Sequence, residues 1–272
     1  MIAVLGANGM AGHTITRYLL SAGHKVTTVA RNNADIITDF EVKSDIDKLV
    51  EILQSSNIKF VVNCIGLLVQ DSFNRPDKAI ILNGWLPLHL EYELKETNVR
   101  LIHISTDCVF DGKVGSYTES DTPTETNIYG RSKAIGEINN NKDVTLRTSI
   151  IGPEIKDNGT GLFDWFLKKS GDQVNGWDNV LWSGVTTLEL AKCIKNWIEY
   201  PVFTGLYHLT NNKKISKYEL LEIINQTFNA KKIVVKGNGP KLLDKSLIDT
   251  RGNSIFSVNG YQQQIQELKN LE

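Results

Sequence analysis

Three glycines within seven residues, Gly6, Gly9 and Gly12, stand between an apolar run at 1–5 and a helical stripe. The stripe is Ala11, Ile15, Tyr18, Leu19 and Ala22, recurring at i, i+4, i+7, i+8 and i+11, and Gly23 stops it. The alternation then continues. A β-branched strand is expected at 25–30, and Ile46, Leu49, Val50 and Leu53 form a second helical stripe. Apolar strands follow at 60–65, 101–105 and 144–149, the last after a helix beginning near Asn127. A helix at 79–95 carries Pro87 as a kink or a restart. Strands that are apolar throughout and alternate with helices signal a parallel sheet covered on both faces. The fold class is α/β, a Rossmann-like doubly wound parallel sheet with a smaller C-terminal lobe.

Beyond Gly152 the rhythm changes. Loops are expected at 157–161 and 171–176, helices at 162–169, 187–199 and 217–227, and strands at 205–209 and 232–235. The division reads as 1–152 for the nucleotide-binding domain and 153–272 for the smaller lobe, with an approximate boundary and strands free to interleave. The polar tail, 262–272, is open between a terminal helix and partial disorder.

Composition narrows the partners. Thirty Lys and Arg against 31 Asp and Glu leave a net charge of −1 over 272 residues. Nucleic acid and anionic membranes call for a basic surplus, so neither is expected. The longest apolar candidate, 60–69, is short of the ~18 residues of a membrane span and carries Asn63. The chain opens directly into a strand with no secretory pattern. Three cysteines, Cys64, Cys108 and Cys193, show no CxxC spacing, which fits a reducing cytoplasm and argues against disulfides or zinc.

The glycine turn has a specific use. Glycine lets the backbone approach a pyrophosphate, and the free amides at a helix N-terminus receive its charge. Gly6, Asn8, Gly9, Met10 and Gly12 are therefore candidate dinucleotide contacts. An acid ending the second strand would bond a ribose 2′-hydroxyl. Here the sequence is Ala30-Arg31-Asn32. A carboxylate would repel a 2′-phosphate, whereas Arg31 can hold it through a forked hydrogen bond. NADPH is expected ahead of NADH, with a solvated surface charge as the alternative reading of Arg31.

Tyr129 and Lys133 lie at i and i+4 of an expected helix, on one face. A phenol near pKa ~10 is a poor acid at neutral pH, and an adjacent ammonium lowers it. Bringing it to ~7 takes ~4 kcal/mol. So tuned, Tyr129 protonates an alkoxide as hydride arrives. Ser105-Thr106-Asp107 ends a parallel strand, where ligands of such sheets bind.

Together, Gly6/Gly9/Gly12, the segment Ile104-Ser105-Thr106-Asp107-Cys108-Val109-Phe110-Asp111-Gly112 and the Tyr129/Lys133 pair resemble the extended short-chain dehydrogenase/reductase superfamily. Within it, the chain is most similar to the dTDP-4-dehydrorhamnose reductases. Val62-Asn63, Asn83, Leu146-Arg147-Thr148-Ser149 and Gly152-Pro153 support the resemblance, which is strong up to about Pro153. It implies reduction of the C4 ketone of a nucleotide-linked 4-keto-6-deoxyhexose, in polysaccharide biosynthesis. It also implies roles: Thr106 bonds the carbonyl oxygen, Tyr129 protonates it, and Lys133 holds the nicotinamide ribose. The strand end Asn63-Cys64-Ile65-Gly66 is expected against the cofactor. Ser105 is either a cofactor contact or a residue bonding local backbone.

Two departures refine this. Sugar-nucleotide dehydratases carry Thr-Asp-Glu at that strand end, and Cys108 stands in the third place here. Epimerases of the UDP-galactose type resemble enzymes with an acid after the second strand, where Arg31 stands. Cys64 and Cys108 are expected to pack rather than react, since no neighbouring histidine is evident. For the substrate, Trp182, Lys213, Lys214, Lys241 and Arg251 are candidates, each with an ordinary core or surface alternative, and His208 reads as a packed strand residue. No metal is expected, and a homodimer is left open. The competing readings are a non-catalytic NADP-binding partner, resembling the regulatory β-subunit of methionine adenosyltransferase, or another sugar-nucleotide epimerase of the same superfamily.

Overall fold

The computed structural model describes residues 1–155, 161–169, 171, 173–251 and 257–271. In chain order the first half contains β1 (Ile2–Leu5), α1 (Met10–Ser21), β2 (Val26–Ala30), β3 (Ile36–Ile37), α2 (Lys43–Ser55) and β4 (Phe60–Asn63). Then come α3 (Val69–Asn74), α4 (Pro76–Ala79), a π-helical segment (Ile80–Trp85), α5 (Leu86–Leu94), β5 (Arg100–Thr106), α6 (Ile128–Ile135) and β6 (Val144–Thr148). The rest comprises β7 (Ile150–Ile151), α7 (Leu162–Lys168), β8 (Gln173–Trp177), β9 (Val180–Trp182), β10 (Val185–Thr186), α8 (Thr187–Glu199) and β11 (Gly205–His208). β12 (Ile215–Ser216), α9 (Lys217–Phe228), β13 (Ile233–Gly237), β14 (Leu243–Asp244) and α10 (Tyr261–Leu271) complete it.

Seven strands form one parallel sheet in the order β11-β6-β5-β4-β1-β2-β3. The order reverses between β1 and β4, which leaves a crevice beyond their carboxyl ends. The period of two sorts β1 between two cores. Ile2 and Val4 join α1 and α8 on one face, around Ile15, Leu19, Ile194 and Trp197. Ala3 and Leu5 join α2 and α5 on the other, around Leu49, Leu53, Leu86 and Leu90. This two-sided burial is why these strands read as unbroken apolar runs. The seventh strand, β11, and the covering helix α8 both come from beyond residue 152.

The expected helix at 79–95 is a longer helical run with a changed register. Pro87 has no amide hydrogen for the carbonyl of Asn83, and the preceding turns relax into the π segment. The Leu86 amide donates to Ile81, five residues back. The freed Asn83 carbonyl lies against Gly136, where a Cβ would collide with it.

The smaller lobe has a core of its own, with Phe163, Phe166, Trp182, Leu220, Ile224 and Leu268. The loop expected at 171–176 is corrected at 173–177: this is β8, paired in parallel with β13. Val174 is its one buried branched residue, and Gly176 is needed because the Tyr218 backbone crosses where a Cβ would stand. Such a strand shows little apolar periodicity. Asp172 and the loop expected at 157–160 lie outside the described residues. The tail resolves as α10, which buries Gln264, Ile265 and Leu268. Among the described residues no helix is long and apolar enough to cross a membrane.

Candidate active site

The glycine turn is shaped by backbone contact. Gly6 has φ +75°, a left-handed value that favours glycine. A Cβ on Gly12 would overlap the Gly6 carbonyl oxygen, so only glycine lets α1 start so close to β1. Gly9 caps α1 in an extended conformation with no side-chain hydrogen bond to the first-turn amides. Those amides are left to a ligand. Asn8 Nδ2 donates to the Asn32 carbonyl at 2.6 Å and ties the turn to the end of β2.

Beside this turn opens a cavity of about 550 Å³. Seven of the expected cofactor residues line it: Gly6, Asn8, Gly9, Arg31, Cys64, Ile65 and Gly66. Arg31 is exposed at its rim. Met10 and Gly12 lie behind it in α1, and Asn63 is fully buried, accepting from the Ile65 amide at 3.1 Å. Two wall cations were not anticipated. Arg75 pairs with Asp77 at 2.6 Å and Lys78 with Glu41 at 2.6 Å. Their signal was hidden in a polar, unpatterned stretch.

Thr106, Tyr129 and Lys133 do not line that cavity, and of the three Lys133 approaches it, at Gly66. A Cβ there would lie 3.9 Å from Lys133 Nζ and 3.4 Å from Asn83 Oδ1. Asn83 is a connector: Oδ1 accepts from the Leu67 amide at 2.7 Å, and Nδ2 donates to Ser132 Oγ at 3.2 Å. It links the cavity wall to α6, the helix carrying Tyr129 and Lys133. Asn127 caps α6 by accepting from the Gly130 amide at 2.9 Å. Gly130 is small because the Cys108 carbonyl and the Glu125 side chain fill the space of a Cβ.

Tyr129 is 9% exposed and Lys133 4%. Burial pushes the phenol above its ordinary range, while a hydrogen bond with Thr106 pulls the other way. The expectation that Lys133 acidifies Tyr129 is therefore corrected for this structure. The amine donates instead to the Ile104 carbonyl at 2.7 Å, and burial holds it down to about 8. A phenol held protonated can still give a proton. Burial also pushes the Cys64 and Cys108 thiols up to about 12, the inert condition of packed cysteines.

Ser105 stands apart from the cavity. Its hydroxyl donates to Glu137 Oε1 at 2.7 Å, and Glu137 is gripped by Arg147 at 2.8 and 2.5 Å. Arg147 Nη1 meets His208 Nε2 at 2.9 Å, so His208 is the packed strand residue expected. In the smaller lobe, Trp182 is core, Lys214 pairs with Asp244 at 2.8 Å, and Arg251 donates to the Leu206 carbonyl at 3.1 Å. Lys213 and Lys241 are exposed. The charges of Lys245 and Lys217 reach the buried Asp107 carboxyl at the end of β5 and oppose the upward push of burial. Nothing in their spacing marks them. Among the described residues no group of three or more His, Cys, Asp or Glu gathers as a metal ion requires.

Comparison with known proteins adds to this geometry. The family described as RmlD substrate binding domain matches residues 1–242. A probable low-salt glycan biosynthesis reductase of Haloferax volcanii is 34% identical over 140 residues, 49% of this chain and 46% of that protein. The match thus spans about half the length of that relative. Methionine adenosyltransferase 2 subunit beta of Xenopus tropicalis is 24% identical over 83% of this chain and 71% of its own. In fold, the chain superposes on dTDP-4-dehydrorhamnose reductase of Bacillus anthracis, solved in complex with NADP, with a TM-score of 0.84. The superposition covers 100% of this chain and 99% of that one at 19% identity.

Proposed function

Since the chain belongs to the RmlD substrate binding domain family, we propose that it is an NADPH-dependent reductase of the 4-keto group of a nucleotide-linked 4-keto-6-deoxy sugar. The observation that carries this reading is a glycine-walled cavity whose Gly66 edge meets Lys133, on the same helix as the buried Tyr129, whose phenol is hydrogen-bonded with Thr106. The residues suit a dinucleotide. The turn offers unsatisfied amides for a pyrophosphate, and no carboxylate ends β2 to oppose a 2′-phosphate at Arg31. NADH remains usable wherever the 2′-phosphate contact is dispensable.

Bound NADPH supplies hydride to the carbonyl carbon. Thr106 Oγ1, at the carboxyl end of β5, donates to Asp107 Oδ1 at 3.1 Å in the free protein and turns that proton to the ketone oxygen when substrate binds. Tyr129 gives that oxygen its proton as negative charge develops, and the phenolate left behind is reprotonated from solvent. Lys133 holds the ribose hydroxyls of the cofactor, and its ammonium stabilises that phenolate. Relatives named for glycan synthesis support a sugar-nucleotide substrate. The likeness to methionine adenosyltransferase 2 subunit beta supports a second reading, a non-catalytic NADP-binding partner.

The test is NADPH oxidation followed by absorbance with dTDP-, UDP- and GDP-linked 4-keto-6-deoxy sugars. Turnover with at least one is expected. Tyr129→Phe should lower it by ~10²–10⁴-fold, the usual share of a general acid, and leave NADPH affinity near that of the parent. NADPH binding with no turnover of any keto sugar selects the partner reading.

A further inference from the structure

The helix that carries Tyr129 and Lys133 is only eight residues long. A helix so short is not stable by itself, so its place on the sheet is set by what holds it. Three successive residues of β5 do so. The Ile104 carbonyl accepts from Lys133 Nζ at 2.7 Å, the Ser105 hydroxyl donates to Glu137 Oε1 at 2.7 Å, and Thr106 is hydrogen-bonded with the Tyr129 phenol. Tyr129, Lys133 and Glu137 recur at intervals of four. The first two have parts in the chemistry above, and Glu137 has none.

Of these ties, the one at Glu137 is held from the most directions. Ser105, Arg147 and His208 stand side by side on β5, β6 and β11 in register, so their side chains share one face of the sheet. Arg147 Nε and Nη2 donate to the two oxygens of Glu137 at 2.8 and 2.5 Å. Arg147 is fixed in turn by His208 Nε2, 2.9 Å from Nη1, and by the Phe110 ring, 5.0 Å from its guanidinium carbon. The Arg147 and Glu137 side chains are 2% and 7% exposed. So enclosed a pair adds little to stability, because desolvating two charges offsets most of their attraction, and apolar residues of similar volume do as well or better. What it does provide is direction: three donors fix the Glu137 carboxylate in one place.

We propose that Glu137 is a positioning residue of the reduction: clamped by Ser105 and Arg147, its carboxylate locks the end of α6 to the end of β5 and so holds the Tyr129 hydroxyl and Thr106 where one ketone oxygen meets both. This rests on the reductase reading. Glu137 acts through Lys133, one helical turn before it, and through Ser105, next to Thr106. Misplacing a reacting group by an ångström can lower a rate about a hundredfold, so this joint governs rate where it hardly governs stability.

The test separates the two. In Glu137→Leu the buried Arg147 is left unpaired, and the unfolding midpoint should fall. In Glu137→Leu/Arg147→Met both charges are gone, and the midpoint should return to the parent's or exceed it. With a keto sugar that the parent reduces, kcat per NADPH site, counted by calorimetric titration, should stay about tenfold or more below the parent in both variants. KM for the sugar should stay within about threefold of the parent's. The deuterium isotope effect on kcat, with NADPH labelled at the transferred hydrogen, should rise, because transfer becomes the slow step. Ser105→Ala, which removes one of the three donors and leaves the ion pair, should lower kcat per site about threefold with a smaller rise. Asp143→Ala is the control. That buried carboxylate precedes β6 at its far end and accepts from the Leu101 amide at 2.8 Å, so its loss should lower the midpoint and leave kcat per site and the isotope effect unchanged. Recovery of the parent's kcat per site and isotope effect in the double variant, together with its stability, overturns the assignment and leaves the reductase reading intact. An equal loss per site in Asp143→Ala also overturns it, since any weakening of the sheet would then act alike. A parent that binds NADPH and reduces no keto sugar overturns both.

Discussion

The glycine cradle beside the cavity and the buried corner of Thr106, Tyr129 and Lys133 meet where Lys133 approaches Gly66, but they are made of different material. The cradle is backbone: Gly6, Gly9 and Gly12 act through what they lack, and the first-turn amides of α1 have no side-chain cap. The corner is side chain: Thr106, Tyr129 and Lys133 are all buried, and burial raises the Tyr129 phenol and lowers the Lys133 amine. A backbone site depends on geometry and is indifferent to pH. A buried side-chain site depends on solvation, so its charges answer to whatever fills it.

That contrast can be broken at either end. The largest effect is expected in the cradle. Gly12→Val drives a branched Cβ into the Gly6 carbonyl, and α1 must move off β1. A cost of about 3 kcal/mol is expected from such overpacking, with loss of NADPH binding. Denaturant unfolding and a fluorescence titration check it, and a variant that binds NADPH like the parent would show that the cradle is not set by this contact. At the corner, Lys133 is held down to about 8 in the folded chain against 10.5 in an unfolded one. Between those values the unfolded state binds the extra proton, so stability gained from this group rises with pH across the window and is missing below it. Relative to Lys133→Met, the parent should gain on the order of 2 kcal/mol between pH 8 and 10. Parallel unfolding curves at both pH values would mean the amine is solvated. The smallest effect belongs to the cradle rim, where Arg31 is exposed and screened by water. Arg31→Asp should shift the NADPH-to-NADH affinity ratio about tenfold toward NADH, the scale of one charged hydrogen bond. An unaltered ratio would pass the 2′-phosphate to another cation of the cavity wall.

The two regions also differed in how far they could be read in advance. The cradle was visible because its requirements are local: a strand, a glycine turn and a helix within 21 residues are set by the chain's own neighbours. The Tyr129/Lys133 pairing was visible for the same reason, since one helical turn joins the two. The state of Tyr129 was not, because the phenol answers to Cys108 and Thr106, which come from another strand end. Ser105 was ambiguous until Glu137, 32 residues away, was found to claim its hydroxyl. The strand β8 was missed because Gly176 serves a crossing by Tyr218, a demand no local pattern records.

Local periodicity and turn chemistry therefore carried the parallel sheet, the glycine cradle and the helix bearing Tyr129. Tertiary packing alone decided that β11 and α8 complete the sheet from beyond residue 152, and that Asn83 joins the cavity wall to α6. The physical reason is range. Backbone propensity acts over a few residues, whereas desolvation and charge depend on every atom nearby, whichever part of the chain supplies it.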